Sequence, residues 1–491
     1  MSMIKVNNLF FHYDNDPDYI FEDVSFFIDT NWKLGFIGRN GKGKTTFLKL
    51  LLGKYEYNGT ITSDVTFDYF PYEVKNKSLT SYEIAEYYCE DYEQWKFEKE
   101  ISFLDINSII LDKPFRTLSK GEQTKILLAI LFTKNNNFLL IDEPTNHLDI
   151  DARKIVAKYL KSKKGFILVS HDRTFLDECI DHVLSINRTN INIEKGNFSS
   201  WYENKQRQDN YELSENNRLK KDIKRLEQSS RRTAEWSNKT ENSKYNMTWD
   251  GPIDKGFIGH KSAKMMKRSK VTQARMEKEI EEKAKLLKNI ETVEDLKLTT
   301  LQNKKGHLIE ANKISINYKE RVILSNLSFF LEDGDRLQIK GKNGSGKSSI
   351  IKLILGDNIS YTGDLYKQSN LKISYVSQET SSLSGHLSNY IRDKKLDETL
   401  FKTILRKMDF DREQFDKKIE DYSDGQKKKV LLATSICTQA NIYIWDEPLN
   451  YIDIFSRMQI ENLIKSYNLT MIFVEHDETF SKNIATKEIN I

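Results

Sequence analysis

The chain has 491 residues, 30% of them charged, and a formal net charge of +4 from 76 basic and 72 acidic side chains. No apolar run approaches the ~18–20 residues of a membrane helix, so a membrane-spanning protein is excluded. The N-terminal stretch lacks a basic segment followed by an apolar run, and Cys89, Cys179 and Cys437 stand far apart; neither a secretory signal, a disulfide framework nor a structural metal is expected, and a reducing cytoplasm is.

Taken in chain order, a short strand at Lys33–Ile37 enters a glycine loop, Gly38-Arg-Asn-Gly-Lys-Gly-Lys44-Thr45, followed by helical apolar spacing over Thr46–Leu52. LSKGEQ comes next, then a buried-strand run, Phe138–Ile141, ending in Asp142-Glu143, and a further strand, Phe166–Ser170, ending in His171-Asp172. The same series returns as Arg336–Lys340, Gly341 to Ser348, helical spacing over Ser349–Leu355, YSDGQ, Ile442–Trp445 before Asp446-Glu447, and Thr470–Glu475 before His476-Asp477. Lys44 to Ser119 is 75 residues and Lys347 to Ser423 is 76, and Glu143 to His171 and Glu447 to His476 are 28 and 29. Such register means a duplicated domain. Apolar strands between helices imply α/β copies around a largely parallel, covered sheet.

Between the copies, about 203–305, the glycine-loop landmarks vanish. Leu219, Ile223 and Leu226, then Met276, Ile280, Leu287 and Ile290, keep helical spacing, while Trp236–Gly259 holds Pro252 and three glycines. This predicts two long helices folded into an antiparallel hairpin with an extended tip at about 236–262, each arm ~34 residues and roughly 50 Å long. From Arg218 to Lys278 there are 17 Lys/Arg against 7 Asp/Glu, an excess of ten in a chain of +4. Basic arms with aromatic tips suit RNA, because charge binds phosphates and rings stack on bases. Trp236, Lys244, Trp249, Phe257 and Lys261 are the expected contacts.

The glycine loops fit GxxxxGK[ST], whose backbone N–H groups and helix N-terminus cradle phosphates. Gly38, Asn40, Gly41, Gly43, Lys44, Thr45 and Thr46, with Gly341, Asn343, Gly344, Gly346, Lys347, Ser348 and Ser349, are expected to hold ATP. Thr45 with Asp142, and Ser348 with Asp446, suit Mg²⁺; Glu143 and Glu447 suit a general base.

Walker A, LSKGEQ/YSDGQ, DEP and His-Asp, in that order, resemble ATP-binding cassette (ABC) ATPases. The resemblance implies head-to-tail pairing, with Ser119, Gly121 and Gln123 closing over the second copy's nucleotide and Ser423, Gly425 and Gln426 over the first. It makes His171 and His476 γ-phosphate sensors, places Tyr13 and Tyr318 against adenine, and adds Gln378 to the metal site. Tyr72 stands where the family has that glutamine, EPLNYID replaces EPTNHLD, and Glu475 replaces the serine before His476; two competent but unequal sites are expected.

Two cassettes joined by a charged helical linker, with EPTNHLD, SHDRTFLD and GNFSSWYENK, resemble the ABC-F family. That implies a cytoplasmic ATP hydrolase, monomeric through its own paired cassettes, which occupies the E site of the 70S ribosome and reaches toward 23S rRNA and P-site tRNA. The cassettes are expected at 1–202 and 306–491. The equal Walker-to-signature spacings leave no room for an inserted arm, and the 15 residues after His476 no long C-terminal extension. With YFPY and the extended tip, the chain looks most like the Lsa/Vga-type resistance proteins of Gram-positive bacteria, implying protection against lincosamides, pleuromutilins and streptogramin A. A housekeeping ABC-F translation factor, or an energising subunit of a transporter, are the alternatives.

Overall fold

The computed structural model describes residues 2–13, 19–134, 137–146, 148–186, 191–242, 306–318 and 321–491, with single positions between 264 and 301. Residues 1–201 and 293–491 form one compact unit, and Tyr202–Thr292 a second.

In the first copy an antiparallel sheet of β1 (Met3–Phe11), β2 (Phe21–Asp29) and β4 (Asn58–Thr62) accompanies a six-stranded sheet. The latter holds β5 (Thr66–Phe70), β6 (Asn137–Asp142), β7 (Phe166–Val169), β3 (Lys33–Ile37), β8 (His182–Ile186) and β9 (Ile191–Lys195), in that spatial order, antiparallel only at β8/β9. The second copy repeats the plan. β10 (Ile309–Tyr318), β11 (Arg321–Leu331) and β13 (Tyr361–Lys367) make the small sheet. β14 (Ile373–Val376), β15 (Ile442–Asp446), β16 (Met471–Val474), β12 (Arg336–Lys340) and β17 (Lys487–Asn490) make the parallel one.

Residue pattern explains the layers. FILV in β7 and MIFV in β16 are buried throughout, because helices cover both faces of a parallel sheet. β1 instead alternates buried and exposed positions, as a strand with one wet face does. The sheet order does the functional work. It sets the C-terminal ends of β6, β7 and β3 side by side, so Asp142, His171 and the glycine loop converge although up to 133 residues separate them in sequence.

Strands β3 and β12 have the bounds their spacing predicts. The following helices begin two residues earlier than expected, at Lys44 and Lys347, because each Walker lysine is the first helical residue behind a left-handed glycine. At that glycine a Cβ on Gly43 would lie 2.5 Å from Ile20, and one on Gly346 2.7 Å from Ile323, with φ of 90° and 104°.

The linker's first helix runs Phe198–Asn242, 45 residues and about 67 Å at 1.5 Å per residue, longer than the arm expected. Its root is fixed: Asn197 Oδ1 accepts from Ser200 N, and Phe198 and Trp201 are buried. The second compact unit ends at Thr292, short of the expected boundary at 305. Leu296 and Leu298 are the physical reason, being buried in the hydrophobic core of the second copy's helical region. The side chain of Trp236, and Lys244, Trp249, Phe257 and Lys261 altogether, lie outside the described residues, as does the side chain of Tyr318.

Candidate functional site

Each Walker lysine is buried and turned back onto its own loop. Lys44 Nζ donates to Gly38 O (2.6 Å) and Arg39 O (3.0 Å), and Lys347 Nζ to Gly341 O and Lys342 O (2.8 and 2.9 Å). Burial lowers the pKa of both, while Asp453, Glu143 and Asp142 oppose that at Lys44, as Glu447 and Asp446 do at Lys347. Thr45 Oγ1 donates to Asp142 Oδ2 (3.1 Å), and Ser348 Oγ to Asp446 Oδ2 (3.0 Å).

The glutamates after the β6 and β15 aspartates sit in left-handed backbone, φ 51° at Glu143 and 46° at Glu447. Each is anchored by its N–H to the neighbouring strand, at Val169 O and Val474 O. Non-glycine residues reach this region rarely, and outliers of this kind gather at working sites. His171 Nε2 stands 3.5 Å from Glu143 Oε1, and His476 Nε2 3.5 Å from Glu447 Oε1.

The two copies face each other. Asn40 of the first loop donates to Tyr451 O of the second copy (3.1 Å), beside Gly425. Reciprocally, a cavity of about 990 Å³ has Ser119, Gly121 and Glu122 on one wall and Asn343, Gly344, Lys347, Glu447 and His476 among those on the other. Ser119 and Ser423 cap their helices through reciprocal boxes with Glu122 and Gln426, and these helix N-termini, the positive ends of their dipoles, lie beside the opposing copy's loop, Ser119 and Gly121 across the cavity from Lys347, and Gly425 near Asn40.

Here the expected signature glutamine needs correction. Glu122, not Gln123, is the counterpart of Gln426, since both fill the third helical position of the box. Gln123 Nε2 turns away to Phe115 O and Leu118 O, both 3.0 Å.

Thr174 and Thr479, equivalent residues, share a hydrogen bond of 2.8 Å. Like meets like only on a two-fold axis, so the copies pair with pseudo-two-fold symmetry. Around that axis Arg173 pairs with Glu461, Lys154 with Glu478, and Arg153 donates to both Asp172 Oδ2 and His476 O. These arginines were missed from sequence. Arg153 and Arg457 each lie four residues past a helix-capping aspartate, a spacing that reads as ordinary helix surface.

Two phosphate-binding loops, each opposed by the other copy's helix N-terminus, make an arrangement that sandwiches nucleotide. The family comparison agrees: the profile described as ABC transporter matches residues 21–146 and 324–450. The chain belongs to the ABC transporter family. It is an ATPase with tandem ABC domains. It is 29% identical to the ATP-binding protein Uup of Buchnera aphidicola subsp. Acyrthosiphon pisum over 99% of this chain and 80% of that one. It is 27% identical to the ribosome protection protein VmlR of Bacillus subtilis over 98% and 85%. The solved RNase-L Inhibitor shares the fold, with a TM-score of 0.63, 17% identity, and 99% and 87% of the chains covered. Among the described residues no helix is long and apolar enough to cross a membrane.

Within this ABC ATPase the two sites differ. In the second, Glu447 Oε2 accepts from Gln378 Nε2 and Asn450 Nδ2, both 2.9 Å. Burial raises its pKa, but the nearby His476, the Asn450 bond and Lys347 outweigh that and hold it down to about 2. In the first, Glu143 Oε1 is buried without a hydrogen bond. Burial and Asp142 push Glu143 up to about 8, against Arg457 and Lys44. Burial, with Lys44 and Arg457, holds His171 well below its usual value.

Strand register locates one of the differences. Tyr69 pairs with Leu140 and Tyr375 with Ile444, each two residues before the strand-end aspartate, so Tyr72 and Gln378 are equivalent. Tyr72 lies against Tyr88 (4.8 Å between rings) with its hydroxyl buried and unbonded, away from Glu143. Glu475 does not reach into the cavity but accepts backbone N–H groups from Leu449 and His476, both 2.9 Å. Tyr13 lies over the first loop, its hydroxyl 2.8 Å from Thr46 Oγ1.

Proposed function

We propose that this chain is a cytoplasmic, monomeric ABC-F ATPase that binds the E site of the 70S ribosome and displaces antibiotics from the peptidyl-transferase centre. Lincosamides, pleuromutilins and streptogramin A are the drug classes, and ATP hydrolysis drives release. The observation that carries this reading is charge: an excess of ten positive charges over Arg218–Lys278 joins two cassettes that are acidic without it. A basic linker held by a nucleotide-driven clamp suits insertion among phosphates. The likeness to VmlR, named a ribosome protection protein, points the same way.

In this reading ATP lies between each Walker loop and the opposing signature serine, Ser119 or Ser423. Lys44 and Lys347 release their loop carbonyls for the β- and γ-phosphates, and His171 and His476 face the γ-phosphate. Glu447, held by Gln378 and Asn450, accepts the proton of the attacking water; Glu143 does so once ionised. The donor sets fit Mg²⁺: one hydroxyl and one carboxylate at each site, with Asp446 Oδ1 buried and unbonded, leave positions for water and phosphate oxygens. Thr45 with Asp142 and Ser348 with Asp446 would hold the ion, which supplies charge neutralisation on the phosphates. Gln378 already directs its amide nitrogen to Glu447, leaving its carbonyl for the metal side.

The test is sedimentation. A Glu143→Gln/Glu447→Gln double variant should co-sediment with 70S particles in ATP, and its absence from the ribosomal pellet at moderate salt sinks the proposal. The Uup likeness, whose name carries no drug role, favours a housekeeping translation factor as second reading. Unchanged lincomycin and tiamulin susceptibility on expression selects it.

A further inference from the structure

The first site lacks the glutamine that braces the second, yet its strand-end aspartate, Asp142, is not left loose. Tyr69, at the second-last position of β5, donates its hydroxyl to Asp142 Oδ2 at 2.9 Å, and the same oxygen accepts Thr45 Oγ1 at 3.1 Å. Two donors on one oxygen restrain the carboxylate's rotation. Tyr375 holds the same register in β14, but among the described residues Asp446 Oδ2 accepts from Ser348 and no bond joins it to Tyr375. There Gln378 reaches Glu447 instead.

We propose that Tyr69 is a positioning residue of the first site, orienting Asp142 for the nucleotide-bound cation where Tyr72 has displaced the usual glutamine. The substitution at 72 and the tyrosine bond at 69 then form one compensating change. Burial and the neighbouring Asp142 raise the Tyr69 phenol above its usual value. Lys54 caps its ring at 5.9 Å, and the ring packs on the first copy's core, which holds the hydroxyl in place.

The inference rests on the ATP–Mg²⁺ reading of this site, and the test separates the two. In the full chain carrying Lys347→Ala, which disables the second site, binding of a fluorescent ATP analogue is titrated with Mg²⁺. Tyr69→Phe should raise the Mg²⁺ concentration at half-effect by about tenfold, the scale expected when a partner of a metal-binding carboxylate is lost. Metal-free analogue affinity and melting temperature should not move, since the phenyl ring still packs. Tyr375→Phe, in the mirror background Lys44→Ala, should leave the Mg²⁺ dependence unchanged. An unshifted Tyr69→Phe curve overturns the inference, as does an equal shift in both tyrosine variants. A Lys347→Ala parent whose binding ignores Mg²⁺ overturns the underlying reading.

Discussion

The two ATP sites share a scaffold and differ in how their glutamates are held. Each has a histidine at 3.5 Å, but Glu447 also receives two amide donors and its pKa is held down to about 2, whereas Glu143 has a buried oxygen without a hydrogen bond and is pushed up to about 8. Equal Walker motifs therefore do not make equal sites. Tyrosine in place of glutamine at position 72 accounts for one of the two amide donors that Glu143 lacks, in a place where burial makes a carboxylate dependent on them.

The largest test removes each proposed base, Glu447 and Glu143, in turn. Losing a general base costs on the order of 10²–10⁴-fold at its own site. Since Glu447 is already ionised at pH 7, Glu447→Gln should remove most of the phosphate release measured in steady state, and Glu143→Gln much less. Equal losses would mean that ATP closure erases the difference.

Next comes pH, with an effect of about fifty-fold between pH 6 and pH 8. In Glu447→Gln only the first site turns over, and its base is neutral below its pKa of about 8. Its rate should climb roughly tenfold per unit from pH 6 toward 8 and flatten above. In Glu143→Gln the surviving base has its pKa near 2, so it imposes no rise over that interval. Superimposable profiles break the comparison.

Much of this architecture is legible in the sequence, because glycine loops and strand-end acids sit where backbone geometry tolerates little else. Gly43 and Gly346 are required by left-handed φ and by the isoleucines pressed on them. What escapes is whatever depends on side-chain direction. LSKGEQ offers Glu122 and Gln123 as adjacent candidates, and only the third helical position of a capping box decides between them. Tyr69 reads as a packing residue in an alternating strand until its hydroxyl is seen on Asp142. Arg153 gains its role from a carbonyl 323 residues away, which no local pattern encodes.

The caps give a smaller, crossed effect. Ser119→Ala and Ser423→Ala should each cost about 1 kcal/mol of stability, the worth of a good N-cap. If the helices serve opposite copies, Ser119→Ala should depress turnover of the site with the flat profile, and Ser423→Ala that of the pH-dependent one. The assignment fails if each serine slows its own copy's site.

The smallest effect lies at the axis, where the same inequality recurs. Arg173 and Glu461 pair with both side chains under a tenth exposed, whereas Lys154, paired with Glu478 at 2.7 Å, is 57% exposed. An exposed ion pair is worth about 0–1 kcal/mol and is screened by salt. Lys154→Ala should therefore lower the melting temperature by less than about 2 °C in low salt, and by nothing measurable in 0.5 M salt. Arg173→Ala leaves Glu461 buried without its partner, which costs several times more at either ionic strength. A salt-insensitive loss in Lys154→Ala comparable to that of Arg173→Ala would mean that the two sides of the axis are held alike, and that the asymmetry is confined to the nucleotide sites.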